Sequence, residues 1–126
     1  MLVEQEAGAG GFDTIDPARL ESADDAFLDA LPFGVIGLNA AGITEIYNAA
    51  EARYAGMKRA TVLGQPFFLV AGVCMNNFLV AQRFEDEDEL DVVLDYVLTF
   101  RMRPTPVKLR LLKQPGLRRR FVLVQR

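Results

Sequence analysis

The stretch LDVVLDYVLTFRM, residues 90–102, decides the fold of this chain. Every second residue from Leu90 onward is apolar, and the positions between carry the polar side chains Asp91, Asp95, Thr99 and Arg101. Alternation with a period of two over this length indicates a β-strand with one buried face and one face in water. Two further strand patterns follow at residues 107–111 and 121–124, after predicted turns at 104–106 and 114–116.

The segments before this strand predict a β-hairpin and several short helices. FGVIGLN at residues 33–39 and ITEIY at residues 43–47 flank a turn that contains glycine, which is typical of a hairpin. Asn48 is a suitable N-cap for a helix that Gly56 would end. Residues 16–30 predict one or two more short helices ahead of the hairpin.

The order of these elements predicts an α+β fold. Two strands, several helices and three further strands do not form repeating βαβ units, so a doubly wound parallel sheet is not expected. We expect a five-stranded antiparallel sheet with helices on one face. Residues 1–30 are expected to form an N-terminal cap and residues 31–126 the core of one single domain, since 126 residues is close to the commonest domain size.

Composition and charge favour a soluble, cytoplasmic protein, and we expect no nucleic-acid or membrane partner. The formal net charge is −3, and no apolar run approaches the roughly 18 residues that a membrane-spanning helix needs. No secretory signal is evident at the N-terminus. The basic residues concentrated after residue 100 are interpreted as the solvent face of a sheet, with an anionic partner surface as the alternative. We expect a monomer or a weak dimer.

Cys74 is the only cysteine, and the chain has no histidine. A single cysteine excludes an internal disulfide and a structural zinc site. The usual base that would activate a thiol is missing, so an enzyme with a cysteine nucleophile is the weakest of the candidate functions and we expect no enzymatic activity. A free cysteine is often only a small buried apolar residue. The upstream segment YNAAE, residues 47–51, adds a phenol at Tyr47 and a carboxyl at Glu51.

Four segments together with the isolated Cys74 resemble the PAS fold and, within it, the photoactive yellow protein family. They are FGVIGLNAAG at the hairpin, IYNAAE at the start of the first core helix, GQPFF before the cysteine, and TFRMRP at the end of the long strand. The resemblance extends from about Phe33 to Val124. It implies a non-enzymatic blue-light receptor that carries p-coumaric acid as a thioester on Cys74 and acts on a downstream signalling protein that the sequence does not identify.

The resemblance also assigns the residues around that chromophore. It implies that Tyr47 and Glu51 donate hydrogen bonds to the phenolate oxygen, and that the pocket is surrounded by Phe67, Tyr96, Phe100 and Met102. Glu51 has to be protonated to donate, and burial in a low-dielectric pocket favours the neutral form of a carboxyl group. After isomerisation the phenolate is expected to take this proton. The carboxylate left behind would be buried without a partner, which costs several kcal/mol and favours partial opening at the N-terminal cap.

The chain departs from the family pattern at three positions near the pocket. Ala55 stands where a threonine usually bonds the pocket tyrosine, Met57 stands where an arginine usually gates the pocket, and Val73 replaces a proline before the cysteine. These changes predict fewer contacts that support the pocket residues. The absorption colour of the chromophore and the rate of its thermal recovery are therefore expected to differ from those of other family members. The alternative function is a PAS-type sensory or protein-interaction module without a covalent chromophore, because this fold serves many sensors.

Overall fold

A five-stranded antiparallel sheet organises the chain. The computed structural model describes residues 10–100 and 103–126, and of Phe100 it describes the backbone alone. The strands are β1 Gly34–Leu38, β2 Thr44–Tyr47, β3 Leu90–Phe100, β4 Arg103–Lys113 and β5 Arg120–Gln125. Their order across the sheet is β2-β1-β5-β4-β3, so the last strand lies in the middle and β3 forms one edge.

Short helices lie before and within the run of strands. They are α1 Pro17–Ser22, α2 Asp25–Ala30, α3 Ala49–Ala55, α4 Arg59–Val62, α5 Phe67–Val70 and α6 Ala81–Asp86, with a 3₁₀ turn at Val73–Met75. The predicted limits of α3 are confirmed. The Asn48 side chain accepts the Glu51 N–H, and Gly56 ends the helix with φ of 69° in the left-handed region. None of the helices in the described ranges is long and apolar enough to cross a membrane.

The sheet buries both of its faces. Alternate residues of β1 and β5 point to opposite sides, so Ile36 and Val122 pack under the helices between β2 and β3, whereas Val35 and Leu123 pack under the N-terminal segment. The N-terminal side of this second cluster contributes Phe12, Ile15, Leu20 and Leu28. The predicted α+β architecture, a five-stranded antiparallel sheet with helices on one face and an N-terminal helical cap, is confirmed. The division at residue 30 stays a prediction, and residues 1–9 lie outside the described part.

The predicted turn at residues 104–106 is wrong. Strand β4 already begins at Arg103, and Pro104 and Pro106 lie inside it, opposite Thr99 and Val97 of β3. Two prolines in three residues favour a turn by local rules, but proline is tolerated in a strand where its missing N–H faces an unpaired edge. The pairing of β5 with β4 reaches only to Lys108, so the first part of β4 has such an edge.

The prediction that the basic residues form a solvent face is wrong for Arg110. This side chain is only 5% exposed and lies on the cap side of the sheet. It forms two hydrogen bonds with the Asp91 carboxylate, and its Nη1 donates to the carbonyl oxygens of Phe12 and Ile15 at 3.1 and 2.9 Å. Arg110 therefore fastens the segment at residues 11–15 to the sheet.

Candidate functional site

A cavity of about 400 Å³ opens between α3, the 3₁₀ turn, the β3–β4 hairpin and the end of β5. Cys74 and Glu51 both line it, so the structure brings together two of the residues that the sequence singled out. The wall is otherwise a mixture of apolar and cationic side chains. The remaining lining residues are Arg53, Tyr54, Ala55, Gly56, Phe67, Ala71, Met75, Leu98, Arg103, Thr105 and Arg126.

Asn48 fixes the first turn of α3 and with it the position of Glu51. Its Oδ1 accepts hydrogen bonds from the backbone N–H groups of Glu51 and Val35, at 3.2 and 2.9 Å. Its Nδ2 donates to the carbonyl oxygens of Leu28 and Phe33, at 2.9 and 3.0 Å. One buried amide thus joins α2, β1 and α3, and each of its bonds satisfies a backbone group.

Glu51 is buried as half of an ion pair with Arg126. Nη1 of Arg126 lies 2.8 Å from Oε1 of Glu51, and Nη2 lies 3.4 Å from Oε2. The two side chains are only 5% and 16% exposed, respectively. The carboxylate also lies against the backbone of Gly34, where an added Cβ would be 2.1 Å from Oε1. This tight fit leaves no room for a side chain at that position.

The pairing differs from the unpartnered buried carboxylate expected from the sequence. The reason is the register of the sheet, because Gly34 of β1 pairs with Val124 of β5. Because β5 runs antiparallel to β1, the two residues after Val124 extend beyond Gly34 and bring Arg126 to Glu51. Sequence reasoning assigned Arg126 to a solvent face, and the signal that would have identified it is the β1–β5 pairing.

Tyr47 ends β2 and is almost fully buried, but it is not among the residues that line the cavity. Burial raises the pKa of its phenol well above the usual value. The negative charge of Glu51 raises this pKa further, and the positive charge of Arg126 opposes the rise. Tyr47 is thus held as a neutral phenol close to the Glu51–Arg126 pair.

Cys74 is partly buried in the 3₁₀ turn, and Tyr96 holds its backbone. The Tyr96 hydroxyl donates to the Cys74 carbonyl oxygen at 2.6 Å. Nδ2 of Asn77 donates to the Tyr96 oxygen at 2.7 Å and to the same carbonyl at 3.3 Å. Tyr96 is absent from the cavity wall, so its contact with the site runs through the cysteine loop.

Phe67 lines the cavity from α5 and is 1% exposed. Its ring rests on Gly72, where an added Cβ would lie 2.2 Å from Cε2. Of the other residues expected around the pocket, Met102 lies outside the described residues, and the side chain of Phe100 does too. Their assignment stays a prediction.

The three positions that depart from the family pattern lie in different environments in the structure. Ala55 lines the cavity. Met57 packs against the core cluster that contains Ile36 and Val122 but does not line the cavity, and Val73 is 60% exposed. The cavity wall also contains Arg53, Arg103 and Arg126, which the sequence did not predict as site residues. Two of them flank the Tyr54 ring, with the guanidinium carbons of Arg53 and Arg126 at 5.1 and 5.2 Å from its centroid.

Comparison with known proteins identifies relatives over most of the chain. No protein-family model matches. The photoactive yellow protein of Rhodothalassium salexigens is 33% identical over 104 residues, which cover 80% of this chain and 82% of that protein. That of Halochromatium salexigens is 33% identical over 106 residues, covering 82% and 84%.

Solved structures give the same result for the fold. The photoactive yellow protein domain of the sensor histidine kinase Ppr from Rhodospirillum centenum superposes with a TM-score of 0.80 at 29% identity, covering 88% of this chain and all of that domain. A PAS domain of an HTR-like protein from Haloarcula marismortui has a TM-score of 0.60 at 19% identity, which supports the fold alone.

Fold, cavity and relatives together define a PAS-type sensory domain of the photoreceptor class. The two sequence alignments cover about four fifths of the chain. The chain belongs to the photoactive yellow protein family.

Proposed function

We propose that this chain is a blue-light receptor that carries p-coumaric acid as a thioester on Cys74. The observation that carries the proposal is that Cys74 and Glu51 line one cavity of about 400 Å³. This volume is within the ~300–1,000 Å³ typical of small-ligand sites. Membership of the photoactive yellow protein family supports the same function.

The residues present fit such a group. A thioester needs a thiol, and Cys74 is the only one in the chain. Apolar lining by Phe67, Leu98 and Met75 suits an aromatic ring, and the Glu51–Arg126 pair offers a polar end for a phenol oxygen. The cavity thus combines a point of attachment, an apolar wall and a hydrogen-bonding end.

Attachment requires a simple acyl transfer to the cysteine. The Cys74 sulfur attacks the carbonyl carbon of an activated p-coumaroyl donor, such as a thioester or an anhydride. A carbon–sulfur bond forms, the bond to the activating group breaks, and that group leaves with the electron pair while the thiol proton passes to solvent. Tyr96 and Asn77 hold the Cys74 carbonyl during this step and keep the turn in place.

When bound, the group supplies light absorption and a double bond that isomerises. Glu51 in its neutral form donates a hydrogen bond to the phenolic oxygen, and Tyr47 is the second donor in the proposal. Hydrogen bonds to an ionised oxygen are roughly twice as strong as neutral ones, so two donors favour the phenolate. Glu51 gives up its proton after isomerisation, and its carboxylate is then held by Arg126. The signal passes through the N-terminal cap to another protein.

The test is to treat the purified protein with activated p-coumaric acid and record its mass and absorption spectrum. We expect a mass increase of one p-coumaroyl group and a visible band that blue light bleaches reversibly. Cys74→Ser is the matched control and should show neither. Glu51→Gln should load normally but shift the ground-state band.

Two results would contradict the proposal, and a third would change the role assigned to Glu51. A folded protein that gains no mass under these conditions would favour a PAS module without a covalent chromophore. Loading on Cys74 with no light-induced change in the spectrum would exclude the receptor function while leaving the attachment site intact. Unchanged spectra in Glu51→Gln would remove Glu51 from the proposed donors.

A further inference from the structure

We propose that Arg126 is the fixed counter-ion of this pocket, balancing a single negative charge that Glu51 and the phenol oxygen of the chromophore exchange. The inference rests on the proposed function and adds to it a residue that the sequence motifs did not indicate. It starts from the bidentate geometry of the pair, with nitrogen–oxygen distances of 2.8 and 3.4 Å.

The guanidinium is well placed to remain in the pocket. Its side chain is only 16% exposed, and it lies 5.2 Å from the centroid of the Tyr54 ring. Residue 126 follows directly on β5, the central strand of the sheet, so its backbone is tied to a rigid element. An arginine remains charged at any pH relevant to the protein, so the positive charge is permanent.

The other ionisable groups near Glu51 do not replace this charge. Tyr47 of β2 is a neutral phenol held by burial, and Cys74 of the 3₁₀ turn is consumed by the thioester. Arg53 of α3 and Arg103 of β4 line the same cavity, but both guanidinium hydrogen bonds that reach the Glu51 carboxylate come from Arg126. Of the arginines that line the described cavity, Arg126 is the one paired with a buried carboxylate.

One buried guanidinium stabilises one nearby negative charge. A second negative charge beside it would be repelled at short range by the first. Two arrangements are then favourable: a phenolate beside neutral Glu51, or a neutral phenol beside ionised Glu51. Moving the proton from an Oε atom of Glu51 to the phenol oxygen converts the first into the second. Arg126 would be the partner of the negative charge in both arrangements, so the transfer would not require a charge to be created without a partner.

Removing the charge at residue 126 should disfavour the phenolate. In the loaded Arg126→Gln variant, the visible phenolate band should disappear at a higher pH than in the wild type, with the proton affinity of the phenol raised at least about tenfold. Arg126→Lys should recover most of this difference. Arg119→Gln is the matched control, because Arg119 makes a similar ion pair with Glu45 away from the cavity, and its titration should match the wild type.

A second measurement uses the protein without chromophore. The infrared spectrum at neutral pH should show a protonated carboxyl band in Arg126→Gln that is absent in the wild type and in the Arg126→Gln/Glu51→Gln double variant. Circular dichroism checks that each variant is folded. If Arg126→Gln does not fold, Arg126→Met takes its place in both measurements.

The outcomes separate this inference from the function on which it rests. If no protein gains the p-coumaroyl mass, the proposed function fails and the counter-ion role fails with it. If loading and bleaching occur but Arg126→Gln titrates like Arg119→Gln, the inference is overturned while the receptor function stands. Absence of the carboxyl band in folded Arg126→Gln would also overturn it, because Glu51 would then stay ionised without Arg126.

Discussion

Replacing Arg110 by methionine should release the segment at residues 11–15 from the sheet. In the structure Arg110 donates to the carbonyl oxygens of Phe12 and Ile15 at 3.1 and 2.9 Å, and it pairs with Asp91 of the neighbouring strand. Methionine keeps most of the apolar volume of the side chain but none of these donors. The two carbonyls would then lack partners unless water reaches them.

The expected loss follows from these contacts. Hydrogen bonds from a charged donor contribute about 1.5–3 kcal/mol each, so the two to Phe12 and Ile15 account for about 3–6 kcal/mol. The Asp91 side chain is 53% exposed, so its pair with Arg110 adds about 1 kcal/mol at most. Partial solvation of the freed carbonyls recovers some of this loss. We expect Arg110→Met to lower the free energy of unfolding by about 3–5 kcal/mol.

The same pair sets a pH dependence with a defined sign. The hydrogen bond from Arg110 lowers the pKa of Asp91, and desolvation opposes this only in part. A carboxyl whose pKa is lower in the folded state stabilises the protein above its unfolded value of ~3.9. That contribution disappears as the pH falls through the lower folded pKa. Both Arg110→Met and Asp91→Asn should therefore flatten the acid limb of the stability curve.

Urea unfolding at neutral pH measures the loss of stability, the same experiment repeated at acid pH measures the acid limb, and hydrogen exchange resolved by segment measures the release of residues 11–15. Lys108→Met is the matched control, because Lys108 lies on the same strand and pairs with Asp95 in an exposed contact. Amides at residues 11–15 should exchange faster in Arg110→Met and unchanged in the control. A loss below about 1 kcal/mol, with normal protection of that segment, would refute the reasoning that Arg110 fastens the cap.

Three further changes test the site. Gly72→Ala would place a methyl 2.2 Å from the Phe67 ring, so we expect a loss of about 1–3 kcal/mol in urea unfolding and slower chromophore loading; wild-type stability would mean that the ring can move aside. Tyr96→Phe removes the hydroxyl bonded to the Cys74 carbonyl, and faster amide exchange in the cysteine loop, with a loss of about 0.5–1.5 kcal/mol, should follow. Burial raises the pKa of Tyr47, so the folded state keeps the phenol proton above pH ~10, where the tyrosine of the unfolded chain ionises. The free energy of unfolding should therefore fall as the pH rises further. Tyr47→Phe should reduce that slope in urea unfolding at alkaline pH.

Local sequence signals predicted the fold because most of its elements are determined locally. The alternation that begins at Leu90 became β3, with Leu90 and Leu98 buried and Val93 and Val97 facing out. Asn48 was predicted as an N-cap, and it is one. Its bonds to Leu28, Phe33 and Val35 were not predicted, since they depend on segments that meet only in three dimensions.

The features of the site that escaped prediction depend on strand register. Composition alone placed Arg110 and Arg126 on a wet face, yet each side chain is largely buried against a carboxylate. Arg126 contacts Glu51 because β5 pairs with β1. The two residues are 75 positions apart in the sequence, and no local pattern predicts their contact. The prolines at the start of β4 misled for the same reason, because the edge that accommodates them appears only when β5 is placed.

The ion pair changes the energetics of any signal that begins at Glu51. A buried carboxylate without a partner would cost several kcal/mol, a large part of the ~5–15 kcal/mol that keeps a domain folded. With Arg126 at 2.8 Å the charge has a partner as soon as it forms, so its burial alone does not supply the drive to open the protein. In the proposed receptor, proton transfer would change the partner of Arg126, which lies at the end of β5, from the phenolate to Glu51 of α3. Because β5 also packs against the N-terminal cap through Phe121 and Leu123, a shift at this strand end has a direct physical route to the cap.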